Sequence, residues 1–269
     1  MTHRPLQFGI HDFLNSRPLL KPLRAQSAAA GWKIRTDTPA GLAAQLEDGK
    51  LDLALIPSFE YLRNADRYLL FPDFAISSRG AVRTVLLALK PPIENATRIA
   101  VDERSRTSIR LLRLLFQERF PKTATYHPAP PDADTMLAHH DAALVIGDEA
   151  LHLQARPDLE IFDLSEEWFR KTGRTFVHAV LAVRDGVTLT APQNDAIRNS
   201  KETARQHIPA VARDHSARSG IDVAVCCDYL ENKIIYNLRE EEVAGLIHFR
   251  DACIKNEWLA ETLPIRWTA

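Results

Sequence analysis

The chain has 269 residues, more than one compact core usually takes, and 45% of them are hydrophobic, so two lobes are expected. Lysine and arginine (34) balance aspartate and glutamate (35) to a net charge of −1. With no basic run, neither nucleic acid nor an anionic membrane is indicated as a partner.

In chain order, LQFGI (6–10) reads as a strand and RPLLKPLRAQSAAAG (17–31) as a helix closed by Gly31. WKIRTDT (32–38) is a second strand, and AGLAAQLEDGK (40–50) an amphipathic helix with Pro39 near its first turn. LDLALIPS (51–58) is apolar enough to be a strand buried on both faces, and FEYLRNADR (59–67) a short helix. This rhythm predicts a parallel sheet with right-handed crossovers. After LLFPDFAISSRG (69–80) comes the long β-branched run VRTVLLALK (82–90), stopped by Pro91 and Pro92. A second alternation follows: strand TRIAVDE (97–103), helix SRTSIRLLRLLFQERF (105–120), strand TATYHPAP (123–130), helix DADTMLAHH (132–140) and strand AALVIGDEAL (142–151). DLSEEWFRKTG (163–173) looks helical and FVHAVLAVRD (176–185) is another long strand; from Ala191 onward the pattern is mostly helical.

The strands over 82–90 and 176–184 bracket an α/β block of domain-like size. The expected organisation is a large α/β lobe from 1–88 and 178–269, with a smaller lobe, 89–177, inserted through a two-stranded hinge. In open α/β sheets ligands bind where strand C-termini and helix N-termini meet, so a ligand-binding cleft is expected between the lobes.

No apolar stretch approaches the ~20 residues that cross a bilayer. The N-terminus MTHRPLQFGI runs into a strand without the apolar core of a secretory signal. Cys226, Cys227 and Cys253 show no metal-ligand spacing, and reduced thiols in a cytoplasmic protein are the expectation.

Ser105, Thr107 and Ser108, with Arg106 among them, open a strongly periodic helix, where unpaired N–H groups and added hydroxyls suit a carboxylate or phosphate. Plain N-capping competes with that reading. Ser77, Ser78 and Gly80 form a turn ahead of Thr84, a hydroxyl within an apolar strand. Gly147 lets backbone approach a ligand beside Asp148, itself a candidate helix cap. His139 and His140 are adjacent and cannot share one ion, and His178 reads as a buried strand histidine. No HExxH, P-loop, GxGxxG or GxSxG motif occurs, so no metal or cofactor is expected.

FLNSRPL (13–19), PSFEYLRNADRYLLFPDFAISSRGAVRTV (57–85), SRTSIRLL, LVIGDEAL and DLSEEWFRKTG together resemble, in order and spacing, the chorismate dehydratases of the futalosine route to menaquinone. The resemblance covers roughly residues 6–184. It implies a two-lobe fold like the type II periplasmic binding proteins, and a hydro-lyase reaction converting chorismate to 3-(1-carboxyvinyloxy)benzoate. The family's functional Asn falls on Asn15 and its hinge-strand Ser on Thr84. The substrate-binding set is then Ser77, Ser78, Ser105, Arg106, Thr107, Ser108, Gly147 and Asp148. Departures from the family's usual pattern are Arg79 and Ala81 in RGAV, and Arg174, Thr175 and His178 in TGRTFVHAVL. Two other readings compete: the sister dihydroxynaphthoate synthase, whose first turn typically differs from FLNxxPL, and a non-catalytic solute-binding protein of the same fold.

Overall fold

The computed structural model describes residues 4–90, 92–153, 156–260 and 264–268. Residues 1–3, and Pro91 of the breaker pair, lie outside that set. The chain divides into two compact units, one of residues 1–77 and 177–269 and one of residues 78–176.

In the first unit, β1 (Leu6–Gly9) leads into α1 (Arg17–Ala25) and α2 (Ser27–Ala30). The single helix read over 17–31 is therefore broken at Gln26. Gln26 is at once the C-cap of α1 and the N-cap of α2, and its backbone and side-chain N–H groups both donate to Pro22 O, at 3.1 and 3.2 Å. Gly31 ends α2 at φ 66°, a conformation glycine takes without Cβ strain. Then come β2 (Trp32–Arg35), α3 (Pro39–Glu47), β3 (Leu53–Pro57), α4 (Ser58–Arg63) and β4 (Tyr68–Ser78). Thr38 caps α3 by accepting from Gly41 N, with Pro39 in the first turn. Gly9 lies where a Cβ would stand 2.5 Å from Leu51 Cδ1 and 2.8 Å from Leu42 Cδ2, so its lack of a side chain lets α3 and the start of β3 close onto β1.

The second unit holds β5 (Val85–Leu89), β6 (Arg98–Asp102), α5 (Thr107–Phe116), β7 (Thr125–Ala129) and α6 (Ala133–His139). It continues with β8 (Ala142–Ile146), α7 (Ala150–Leu153), β9 (Glu160–Asp163) and α8 (Leu164–Thr172). The chain re-enters the first unit along β10 (Phe176–Arg184) and ends in α9 (Ala191–Ser219), α10 (Val223–Asp228), a π-helical turn at Tyr229–Lys233, and α11 (Glu240–Lys255).

Both sheets have five strands and one plan. The first runs β2-β1-β3-β10-β4 and the second β7-β6-β8-β5-β9. In each, three parallel strands come from a βαβαβ run and a fourth joins antiparallel: β10 against β3, β5 against β8. The sheets are thus mixed, not purely parallel; the alternating rhythm covers only the βαβαβ runs and is silent on strands that enter from elsewhere. The two strands that carry the chain between units are β4 and β10, neighbours in the first sheet, whereas the run at 82–90 forms β5 within the second. No helix of the described residues is long and apolar enough to cross a membrane.

Candidate substrate site

In the first unit the polar turn after β1 is wound tightly. Ser16, fully buried, donates to the carbonyls of His11 and Phe13 and meets His11 Nδ1 at 3.1 Å. Burial holds the His11 imidazole down at about 4, against a small opposing pull from Asp12, so it is neutral at pH 7. Arg17 bonds Asp12 at 3.1 Å and donates to His215 Nδ1 at 3.0 Å, fixing the start of α1 to α9.

Asn15 stands at the centre of this turn. Its Nδ2 donates to Tyr229 OH at 3.0 Å, and Tyr236 OH donates to its main-chain oxygen at 2.7 Å. Its Oδ1 is buried and has no hydrogen-bond partner among the described residues. A buried acceptor left unpaired costs about 1–3 kcal/mol unless a ligand supplies the donor.

The second unit brings several of the expected residues to one end of its sheet. Thr84 precedes β5 and Gly147 follows β8, and Gly147 N donates to Thr84 O at 2.9 Å. Thr84 is buried, and Gly147 adopts φ 72°. Just past β6, Arg104 forks onto the fully buried Asp102 at 2.9 and 2.6 Å and also reaches Ile146 O at 3.2 Å. It ties the loop before α5 to the end of β8. The N-cap of α5 is Arg106, without a side-chain cap bond; Ser105, one residue ahead of it, accepts from Ile109 N at 3.1 Å and so satisfies a first-turn N–H, while its own hydrogen remains to donate. Thr107 and Ser108 are buried in the first turn of α5; Arg106 is exposed, with its guanidinium on the Glu103 and Ser105 carbonyls.

Ser77 and Ser78 point apart, as strand neighbours do. Ser77, in the first unit, donates to Ile235 O at 3.1 Å, while Ser78 meets Ser165 Oγ at 2.7 Å in the second. Asp148 is half-buried on the turn after Gly147.

Four groups escape a reading of the sequence alone. Asp163 accepts from Arg83 N at 2.6 Å, where Arg83 adopts φ 65°, and from Ser165 N and Glu166 N. It therefore sets both the approach to Thr84 and the start of α8. Burial pushes its carboxyl up to about 6, with those N–H donors pulling the other way. The Asp102–Arg104 pair was available as an acid-base spacing directly after a strand. Tyr229 and Tyr236 carried no local signal, lying 214 and 221 positions from Asn15.

Two α/β units of one plan, joined by two strand passages, define the two-lobed periplasmic-binding-protein class. The structure matches protein AF1704 from Archaeoglobus fulgidus with a TM-score of 0.78 at 14% identity, over 96% of this chain and 100% of that one. It matches the alkanesulfonate-binding protein SsuA from Xanthomonas axonopodis pv. citri with a TM-score of 0.68 at 15% identity, over 100% of both. Identities this low show the fold alone. Sequence carries the family: the menaquinone biosynthesis family model matches residues 6–255, and the chain belongs to that family. It is similar to the chorismate dehydratase of Thermus thermophilus, 29% identical over 93% of this chain and 95% of the relative. Against the chorismate dehydratase of Campylobacter jejuni it is 24% identical, over 91% and 96%.

Proposed function

We propose that this protein is a hydro-lyase that converts chorismate to 3-(1-carboxyvinyloxy)benzoate and water, the first step of the futalosine route to menaquinone. One observation carries the reading: relatives from two organisms, both named chorismate dehydratases, align with more than nine-tenths of the chain.

The chemistry suits the residues. Chorismate is a dicarboxylate whose ring is one elimination short of benzene. A proton leaves C3, its C–H electron pair delocalises toward the ring carboxylate and then returns to form the C3–C4 double bond as hydroxide departs from C4, the proton and hydroxide together making water. The protein's task is to hold the carboxylates, stabilise developing oxyanion charge and orient the leaving group. In this reading the first turn of α5, with Ser105, Thr107 and Ser108, holds one carboxylate, with Arg106 adding positive charge nearby. Gly147 and Asp148 line the adjacent turn, and Ser77 and Ser78 shape the approach to Thr84. Asn15 and Thr84 orient the leaving hydroxyl and the enolpyruvyl arm. The substrate's own side-chain carboxylate serves as the base, which leaves no protein dyad or cofactor to be supplied. We place the reaction in the cytoplasm, in keeping with three free thiols at Cys226, Cys227 and Cys253.

The test is direct. Purified protein mixed with chorismate is followed by ultraviolet absorbance and mass spectrometry, and an aromatic product lighter than chorismate by one water is expected. Binding without aromatisation makes the protein a solute-binding module and overturns the proposal. Turnover of cyclic dehypoxanthinyl futalosine in place of chorismate overturns it in favour of the sister synthase. Asn15→Ala is expected to lose most turnover; full retention removes the role given to that residue.

A further inference from the structure

A carboxamide has a donor end and an acceptor end, and rotation about its last bond decides which one a ligand meets. At Asn15 the donor end is taken. Nδ2 rests on Tyr229 OH at 3.0 Å, leaving Oδ1 as a buried acceptor with no partner among the described residues. Tyr229 is fully buried, so its ring has no room to swing. It opens the π-helical turn Tyr229–Lys233, a backbone form that concentrates at functional sites. Tyr236, a few residues on, holds the Asn15 main chain from the same segment.

We propose that Tyr229 is a positioning residue whose hydroxyl oxygen, by accepting from Nδ2, fixes the rotation of the Asn15 amide, so that Oδ1 is the atom presented and the ligand group it takes is a hydrogen-bond donor. The identity of that donor as a chorismate hydroxyl rests on the function proposed above; the amide orientation does not.

Two readouts test it. The first is solvent exchange of the Asn15 side-chain amide in nitrogen-edited spectra, the resonance pair being assigned by its loss in Asn15→Asp. In the wild type the pair is expected to be protected. In Tyr229→Phe, with folding verified by a cooperative melt, it is expected to exchange like the amides of exposed asparagines. The second is a kinetic cycle. Tyr229→Phe is expected to lower kcat about tenfold, the order of one hydrogen bond, with KM changed less than about twofold. In an Asn15→Ala background the same substitution is expected to add no further loss beyond about twofold.

An unprotected amide in the wild type, persistent protection in Tyr229→Phe, or fully additive losses in the cycle each overturn the proposal. Should Tyr229→Phe not fold, the wild-type exchange decides alone. Should the wild type not turn over chorismate, the functional reading fails and amide exchange still decides this one.

Discussion

Thr84 illustrates how a single side chain is assigned by its surroundings. Its main-chain oxygen is bound by Gly147 and its approach is shaped by Asp163 through Arg83, so the backbone there is fixed independently of the hydroxyl. Thr84→Val keeps shape and burial and removes only the hydroxyl's hydrogen-bonding ability. It is expected to lower kcat on chorismate about tenfold or more, as for one hydrogen bond of ~1.5 kcal/mol, whereas Thr84→Ser keeps at least half the activity. Steady-state kinetics of the pair read this out, and equal activity of both variants removes Thr84 from the chemistry. Gly147 is constrained differently. At φ 72° an alanine is strained by roughly 1–2 kcal/mol, so Gly147→Ala is expected to lower the melting temperature whatever it does to turnover.

At the level of elements, the loop from Asp102 to Ser108 is organised by one ion pair. Asp102 is fully buried, and Arg104 both neutralises it and ties it to β8 through Ile146 O. Arg104→Ala strands a buried carboxylate and is expected to cost about 3 kcal/mol in urea unfolding. Adding Asp102→Asn, which removes the charge, is expected to recover part of that loss; a double variant worse than the single one contradicts this account. The same scale shows what the sequence makes legible. β1, β3, β6 and β8 declare themselves as short apolar runs between breakers, and Asp132 marks the start of α6 as a cap. β4 does not declare itself. Pro72 and Asp73, the latter at φ 53°, interrupt its middle, and its backbone is completed by Ile235, Tyr236 and Arg266, far along the chain. β9, four residues with no buried face, is fixed only by pairing with β5. The site divides the same way. The resemblance singles out Asn15, but the tyrosines that hold it are supplied by tertiary structure.

Across the whole molecule, the two units answer acid oppositely. Burial holds His11 and His178 down at about 4, and burial with nearby Lys21 lowers His207, all in the first unit. An unfolded histidine titrates near 6.5, so from pH 6.5 down to 4 the unfolded chain gains protons that the folded unit refuses. The first unit therefore loses stability as pH falls through that window. In the second unit burial raises Asp163 to about 6, so the folded state binds a proton that the unfolded chain does not, and stability rises as pH falls from 6 toward 4. Hydrogen exchange, corrected for intrinsic rates, is expected to show β3 and β10 less protected at pH 4.5 than at pH 7, with β6 and β8 holding or gaining protection. His178→Phe is expected to flatten the acid response of the first unit, and parallel behaviour of the two units contradicts the assignment. The interrupted chain course has a further consequence, during synthesis. Residues 78–176 form a continuous unit that can fold as soon as it clears the ribosome, whereas β3 must wait for β10, its sheet neighbour from the far side of that unit. At roughly 5–20 residues per second, the stretch from 177 to 269 takes on the order of 5–20 s to be made. For that interval residues 1–77, made before the second unit, are left unfinished, with an open apolar strand edge for chaperones to guard.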